Sequence, residues 1–157
     1  MTIEWQWRRY ADLSPHEIYA IFAARQAVFI CEQNCPYLDM DGKDLDAWHL
    51  VGWSGKEVAA YLRLLAPGVS YPEPSLGRII TTRIGRGSGL GRELVARGLE
   101  KIHELYPTLP TRIGAQAHLH EFYGSLGFVQ ASEPYDEDGI PHIQMRREAG
   151  PVIRPIS

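Results

Sequence analysis

The segment "RGSGLGREL" (residues 86–94) indicates the fold, because its three glycines lead directly into helix-forming sequence. Each glycine costs roughly 0.5–1 kcal/mol in conformational entropy relative to alanine. A turn tolerates that cost when its backbone needs unusual angles, or when a ligand must lie against the main chain. The preceding "SLGRIITT" (residues 75–82) is typical of a strand. The sequence therefore predicts a strand, a glycine turn (residues 86–91) and a helix.

A turn of this kind suits a phosphate or pyrophosphate, since its backbone amides point outward and the helix N-terminus adds partial positive charge. Two common nucleotide motifs do not fit the spacing. The dinucleotide motif needs a third glycine where Arg92 stands, and a P-loop needs Lys and Ser or Thr where Arg92 and Glu93 follow Gly91. The glycine turn thus predicts a phosphate site of another family.

Composition limits the class of protein. The chain has 157 residues, 45% of them hydrophobic, and a net charge of −3, so it suits one domain with a real core and excludes nucleic acid as a default partner. No signal-peptide pattern and no membrane-length apolar run occur, which predicts a cytoplasmic protein with no membrane partner. We expect one domain over residues 1–149 and a loosely held tail over residues 150–157.

Strands and helices alternate along the chain, which predicts a mixed α/β fold. Ser14, Pro15 and Glu17 form an N-cap, a first-turn proline and a capping box for a helix that extends to residue 30. Asp138-Gly139 is a favoured hairpin turn pair. The other expected elements are strands over residues 2–7, 48–54, 57–66, 75–82, 110–116, 128–134 and 141–148, and helices over residues 90–105 and 119–127.

The spacing Arg86-Gly87-Ser88-Gly89-Leu90-Gly91 matches Arg/Gln-x-x-Gly-x-Gly/Ala, the acetyl-CoA signature of the GCN5-related N-acetyltransferases (GNAT). The chain resembles that family over nearly its whole length. "AVFICEQNCPYLDMDGKDLD" (residues 27–46), "GAQAHLHEFYGSLGF" (residues 114–128) and "YDEDGIPHIQM" (residues 135–145) are similar to the ElaA group within it. The resemblance implies a mostly antiparallel central sheet flanked by helices, with a parallel pair of fourth and fifth strands splayed to hold CoA.

The same resemblance implies an enzyme that moves acetyl from acetyl-CoA to a primary amine by direct attack in a ternary complex. Main-chain groups of Ile79, Ile80 and Thr81 would pair with the pantetheine arm, and the N–H groups near Ile79 would polarise the thioester carbonyl. Gln116 stands where the family often has an asparagine that touches pantetheine. The backbone that would hold the CoA pyrophosphate is that of Arg86, Gly87, Ser88, Gly89, Leu90 and Gly91.

Tyr123 falls at the position of "EFYGSLGF" that protonates the departing thiolate in many relatives, and the alternative is that it only packs against the cofactor. No residue is marked as the base that deprotonates the amine. Glu32 is the first carboxylate to test, and His142, His118, His49 or a water chain are alternatives. A histidine such as His49, within an apolar strand, is more often a core residue.

Several polar residues leave two interpretations open. Cys31 and Cys35 could meet His118 and His120 at a zinc ion, but the spacing fits no usual site, so we predict no metal and two buried thiols at a helix end. "DMDGKDLD" (residues 39–46) does not match a calcium loop. Its acidic residues either attract a cationic substrate or belong to an ordinary solvated loop. The solvated loop is the favoured interpretation. Arg78 binds an anionic substrate group or pairs with an acid.

Two other functions fit the same resemblance. A binding module could keep the CoA cleft and sense acyl-CoA without turnover. A homoserine-lactone synthase relative would need a basic docking surface for an acyl carrier protein, and the sequence shows none. The acceptor amine is open between a small molecule and a peptide. A homodimer is a further expectation, since homodimers are common in the family.

Overall fold

The first half of the protein forms a four-stranded antiparallel sheet. In the computed structural model, which describes residues 2–152, these four strands pair in chain order, each antiparallel to the next. Residues 153–157 of the predicted tail lie outside the described part. The strands are β1 (Glu4–Arg9), β2 (Trp48–Ser54), β3 (Glu57–Leu65) and β4 (Ser75–Thr81).

A second antiparallel sheet is built around one long strand. Strand β8 (Ile140–Arg147) pairs with β5 (Thr111–Gln116), β6 (Val129–Gln130) and β7 (Tyr135–Glu137). Asp138 and Gly139 both adopt positive φ, 52° and 83°, as a type I′ hairpin turn requires. The strand expected over residues 128–134 ends at Gln130, because the Ser132 hydroxyl accepts the hydrogen bond of the Gln144 amide in place of a main-chain carbonyl.

The two sheets meet at β4 and β5 without sharing a ladder among the described residues. One backbone hydrogen bond, from the Arg112 amide to the Pro74 carbonyl at 3.1 Å, joins the beginnings of these strands. Beyond it the strands are separated by a cleft. The parallel pairing of β4 with β5 stays a prediction.

The first helix starts as expected and then changes type. In α1 (Pro15–Arg25) the Glu17 amide donates to the Ser14 hydroxyl at 3.1 Å, and the Ser14 amide donates to the Glu17 carboxylate at 2.8 Å. The predicted capping box is therefore confirmed. From Gln26 to Glu32 the chain is a π-helix, a wider turn that is frequent near functional sites.

Helix α2 (Leu90–Leu105) packs its apolar stripe on the first sheet. Gly98 permits this close approach, since a Cβ there would lie 2.9 Å from side-chain atoms of Leu62 and Leu76. Fully burying one leucine contributes about 1.5–3 kcal/mol, so this stripe is a major source of stability. The buried stripe residues are Leu90, Leu94, Val95, Leu99 and Ile102.

The last helical region is shorter than the sequence predicts. A 3-10 turn (Ala117–Leu119) leads into α3 (His120–Gly124), and Gly127 follows at a φ of +97°. Across residues 2–152, no helix is both long and apolar enough to span a membrane.

Candidate active site

A cleft of about 500 Å³ opens between β4 and β5 and is the candidate site. One wall comes from β4 and from the loop after the π-helix. The other wall comes from β5, α3 and the β7–β8 hairpin. The lining residues used below are Asp41, Tyr71, Arg78, Ile79, Gln116, Tyr123, Glu137, Asp138 and His142.

The glycine turn lies between β4 and α2 and needs its glycines for their backbone angles. Gly87 and Gly89 have φ values of +82° and +75°, which side-chain-bearing residues rarely adopt, and a Cβ on either would meet nothing within 4 Å. The turn therefore presents bare backbone to open space. Gly85, which sequence reasoning did not single out, is required for packing, because a Cβ there would lie 2.6 Å from the Ala59 carbonyl oxygen.

Helix α2 begins at the glycine turn without a side-chain cap. Gly89 is its N-cap residue and supplies no side chain, while the Glu93 amide makes a 3.3 Å bond to the Gly89 carbonyl. The amides of the first turn thus lack a capping side chain among the described residues. Such a helix start attracts an anion through its N–H groups and its dipole.

Glu32 and Arg86 meet at the outer side of the glycine turn. The Arg86 guanidinium donates to Glu32 Oε1 at 2.7 Å and twice to the Thr81 carbonyl, at 3.1 and 2.9 Å. Glu32 does not line the cleft, so the structure does not bring it together with Tyr123. Both side chains are partly exposed, and a pair of this kind contributes little to stability.

Tyr123 lies on α3 and its side chain reaches the cleft between two phenylalanine rings. It is 5% exposed, with ring centroids 5.1 Å from Phe122 and 5.9 Å from Phe128, both edge to face. Burial raises the pKa of the Tyr123 hydroxyl well above its usual value of 10. The phenol therefore stays protonated at neutral pH and can act as a proton donor.

Strand β4 carries a bulge where it borders the cleft. Tyr61 pairs with Ile80 and Arg63 with Gly77, which leaves Arg78 and Ile79 opposite one residue of β3. Arg78 has a φ of +50°, unusual for a residue with a side chain. A bulge interrupts the ladder and frees main-chain groups for other partners.

The other residues expected to contact CoA are divided between the cleft and its surroundings. Ile79 and Gln116 line the cleft, and Gln116 Nε2 donates to Gln33 Oε1 at 3.3 Å. Ile80 instead packs in the hydrophobic core beside α1. Thr81 ends β4, where its carbonyl already accepts from Arg86.

The histidines proposed as bases occupy different environments. His49 is 1% exposed; its Nε2 donates to the Asp44 main-chain carbonyl at 2.8 Å, and its Nδ1 accepts from the Tyr61 hydroxyl at 2.7 Å. It is therefore a core histidine, as expected. Burial lowers the pKa of His49 and keeps it neutral. His118 is exposed outside the cleft lining. His142 lines the cleft and contacts Glu137.

The acidic stretch (residues 39–46) fits neither expected interpretation, because its buried aspartates are bonded to arginines of this protein rather than to solvent or to a cationic substrate. Arg25 Nε and Nη1 donate to Asp39 at 2.9 Å and Asp44 at 2.7 Å, although Arg25 is fully buried. Arg63 binds Asp41 and Asp44, with its shortest contact at 2.6 Å. Arg78 lies 2.8 Å from Asp39, so it pairs with an acid. We call these six residues the Asp–Arg cluster: Arg25, Asp39, Asp41, Asp44, Arg63 and Arg78.

The two cysteines differ from the expectation that both are buried. Cys31 is exposed, whereas Cys35 is buried and its thiol donates to the Asp138 carbonyl at 3.0 Å. The Cys35 contact ties the loop after the π-helix to the β7–β8 turn. Within residues 2–152, no group of three or more His, Cys, Asp or Glu side chains is arranged to hold a metal ion.

Comparison with known proteins gives the class to which this fold and cleft belong. The sequence model described as "Acetyltransferase (GNAT) domain" matches residues 23–149. The chain therefore belongs to the GNAT acetyltransferase family. It is 45% identical to Protein ElaA of Escherichia coli, over 93% of this chain and 97% of that protein. A UPF0039 protein of Synechocystis is 47% identical, over 92% of this chain and 95% of the relative.

Solved structures agree in fold over nearly the whole chain. The crystal structure of Escherichia coli ElaA has a TM-score of 0.88 and 44% identity, covering 94% of this chain and 100% of the other. The acyl-CoA N-acyltransferase from Pseudomonas aeruginosa also has a TM-score of 0.88, at 42% identity, covering 93% of this chain and 99% of the other. The expected resemblance to the GNAT family and its ElaA group is confirmed.

Proposed function

We propose that this protein transfers the acetyl group of acetyl-CoA to a primary amine, by direct attack in a ternary complex. The observation that carries the proposal is the combination of an uncapped, glycine-lined helix start with a cleft that holds a buried, protonated tyrosine. The first feature suits a diphosphate, and the second suits a leaving group that needs a proton. Membership of the GNAT family supports the use of an acyl-CoA donor.

Coenzyme A would lie along β4 with its diphosphate on the glycine turn. The amides of residues 86–91 would hold the diphosphate, because the bare backbone at Gly87 and Gly89 allows its oxygens to approach. The pantetheine arm would follow the main chain of Ile79, Ile80 and Thr81. Gln116, on the opposite strand, would contact it from the other wall of the cleft.

The bulge at Arg78 and Ile79 is the proposed site of thioester activation. Main-chain N–H groups released from the ladder there would polarise the carbonyl and stabilise the oxyanion of the tetrahedral adduct. Tyr123 would then give its proton to the sulfur as the C–S bond breaks. The contact between Arg86 and Glu32 supports a role for Glu32 in orienting the glycine turn, which would leave deprotonation of the amine to another group.

The experiment that tests this function combines binding with turnover. Thermal unfolding is followed with and without CoA, and acetyl-CoA consumption is screened against small amines, amino acids and peptides. We expect CoA to raise the melting temperature and at least one amine class to be acetylated. A melting shift without turnover on any amine would favour the acyl-CoA sensor, and no shift at all would refute both functions.

A further inference from the structure

We infer that His142, held between Glu137 and the Ile140 carbonyl, is the base that deprotonates the acceptor amine; this inference rests on the proposed acetyl transfer. His142 lies on β8 directly opposite Gln116 of β5 and lines the same cleft as Tyr123. It is 9% exposed, so its ring is well ordered by its surroundings but still reaches the cleft.

The ring of His142 is oriented by a main-chain contact. Its Nδ1 atom lies 2.8 Å from the Ile140 carbonyl oxygen. A carbonyl can only accept a hydrogen bond, so Nδ1 must carry a proton. In the neutral imidazole the lone pair is then on Nε2, which is the nitrogen that can take a proton from a substrate.

Glu137 supplies the charge that makes this transfer favourable. Its Oε2 atom lies 3.1 Å from Nε2, and its side chain is 58% exposed at the edge of the cleft. With neutral His142 the pair carries one negative charge and attracts an ammonium group. Once the proton has moved to Nε2, the imidazolium can donate it to Glu137 Oε2, which lies 3.1 Å away.

Two tyrosines on this side of the cleft add no charge at neutral pH. The Tyr135 ring of β7 lies 6.0 Å from the His142 ring, and burial raises the pKa of Tyr135 to about 12. Burial likewise raises the pKa of Tyr71, which follows β3. Asp138 adds negative charge from the hairpin turn. The remaining titratable or charged groups that line the cleft are Cys35, Tyr37, Asp41, Lys43, Arg63, Arg78 and Tyr123.

The proton transfers balance over the whole reaction. The ammonium gives one proton to His142 Nε2, and the amine lone pair then forms the N–C bond to the thioester carbon. The C–S bond breaks with its electron pair on sulfur, which takes the proton of Tyr123. The second proton of the adduct nitrogen restores Tyr123, and His142 releases its proton to solvent past the exposed Glu137.

The first test compares His142→Gln with His120→Gln, a matched change at an exposed histidine outside the cleft. The probes are acetyl-CoA with n-propylamine, which is protonated at neutral pH, and with methoxyamine, which is not. We expect His142→Gln to lower kcat/KM for n-propylamine about 100-fold at pH 7 and to affect methoxyamine far less. His120→Gln should behave as wild type.

The second test reads the KM of the two amines. Glu137→Gln should raise KM for n-propylamine and leave KM for methoxyamine nearly unchanged, since the carboxylate no longer attracts the ammonium group. Glu133→Gln, at an exposed carboxylate outside the cleft lining, is its control.

The outcomes separate this inference from the proposed function. Wild-type protein that acetylates no amine refutes the proposed function and the base with it. Turnover by the wild type, with equal losses on both amines in His142→Gln, overturns the base alone. Nitrogen-15 NMR of labelled histidine gives a readout without turnover: neutral His142 should be protonated on Nδ1, and a proton on Nε2 would overturn the inference.

Discussion

At the scale of single residues, burial decides what Tyr123 can do. A phenol in an aromatic environment keeps its proton, because the phenolate would be poorly solvated there. The same environment holds the ring in one orientation. Tyr123 therefore keeps its proton in the cleft at neutral pH, which excludes a role as a phenolate base.

Replacing Tyr123 by phenylalanine should separate chemistry from binding. We expect kcat to fall about 100- to 10,000-fold, as loss of a general acid does, while the affinity for CoA changes little. Steady-state kinetics and calorimetric titration with CoA measure the two quantities. Tyr19→Phe, at a side chain that is 79% exposed, is the matched control. An equal loss of turnover in both variants, or full activity in Tyr123→Phe, would contradict the acid role.

The backbone angle φ at Gly89 limits which residue types this position tolerates. Its φ of +75° is in the left-handed region, so Gly89→Ala should lower the free energy of unfolding by about 1–2 kcal/mol. Denaturant unfolding measures the change. Gly124→Ala is the control, because that glycine lacks a positive φ and its added Cβ would meet nothing within 4 Å. Equal free energies of unfolding for the two variants would show that the positive φ at Gly89 does not penalise a side chain.

At the scale of elements, the Asp–Arg cluster attaches the loop after the π-helix to α1, β3 and β4. Burial alone would raise the pKa of Asp44, but hydrogen bonds from Arg25 and the nearby positive charges lower it. Each buried charge in the cluster thus depends on its partners. The loop in turn provides Asp41 to the cleft wall.

Asp44→Asn should therefore destabilise the protein strongly. The change removes the negative charge that lies 2.7 Å from the buried Arg25 guanidinium, and breaking a buried ion pair costs about 3–5 kcal/mol. Asp46→Asn is the control in the same loop, since Asp46 is exposed. Chemical denaturation of both variants gives the comparison. A loss below 1 kcal/mol in Asp44→Asn would show that the cluster is not a source of stability.

Local sequence patterns predicted the helix cap and the turns well, whereas ion pairs between residues far apart in the chain were not predictable. The capping box of Ser14 and Glu17 and the turn at Asp138-Gly139 depend on neighbouring residues, so the sequence contains their full cause. The glycine turn was predictable for the same reason. By contrast, Asp44 and Arg63 are 19 residues apart, and Glu32 and Arg86 are 54 apart. Pairs of this kind form only when the sheet brings distant segments together.

At the scale of the whole molecule, the paired carboxylates predict sensitivity to acid. Burial would raise the pKa of Asp41, but hydrogen bonds from Arg63 and the Lys43 amide bring it far below its usual 3.8. A pKa that is lower in the folded state contributes stability above the unfolded value, and that stability is lost as pH falls through it. Asp44, also lowered, acts in the same direction.

The free energy of unfolding should accordingly decrease steeply as the pH falls below about 4, towards the pKa values of the folded state. Urea unfolding between about pH 2 and pH 6, about two units on either side of the unfolded aspartate pKa, measures the slope. Asp44→Asn should show a shallower slope, because one of the linked carboxylates is absent. An identical slope in the variant and the wild type would contradict the contribution of Asp44.

The candidate site was only partly predictable because its residues come from two separate sheets. The first sheet and α2 carry the glycine turn, whose local pattern identifies it. The second sheet carries Gln116 and His142, which become neighbours only through the register of β5 with β8. Sequence reasoning therefore identified the glycine turn more directly than the pairing of Gln116 with His142.

The Asp–Arg cluster has a consequence for how this protein can change through descent. Three acids cancel three bases in a largely buried space, so a lineage that loses one of them carries a mismatched charge until an opposite one is also lost. A substitution at one of the six positions is therefore best tolerated together with a compensating substitution at its partner. Exposed positions of the same loop, such as Leu38 and Met40, are under no such constraint and can diverge one at a time.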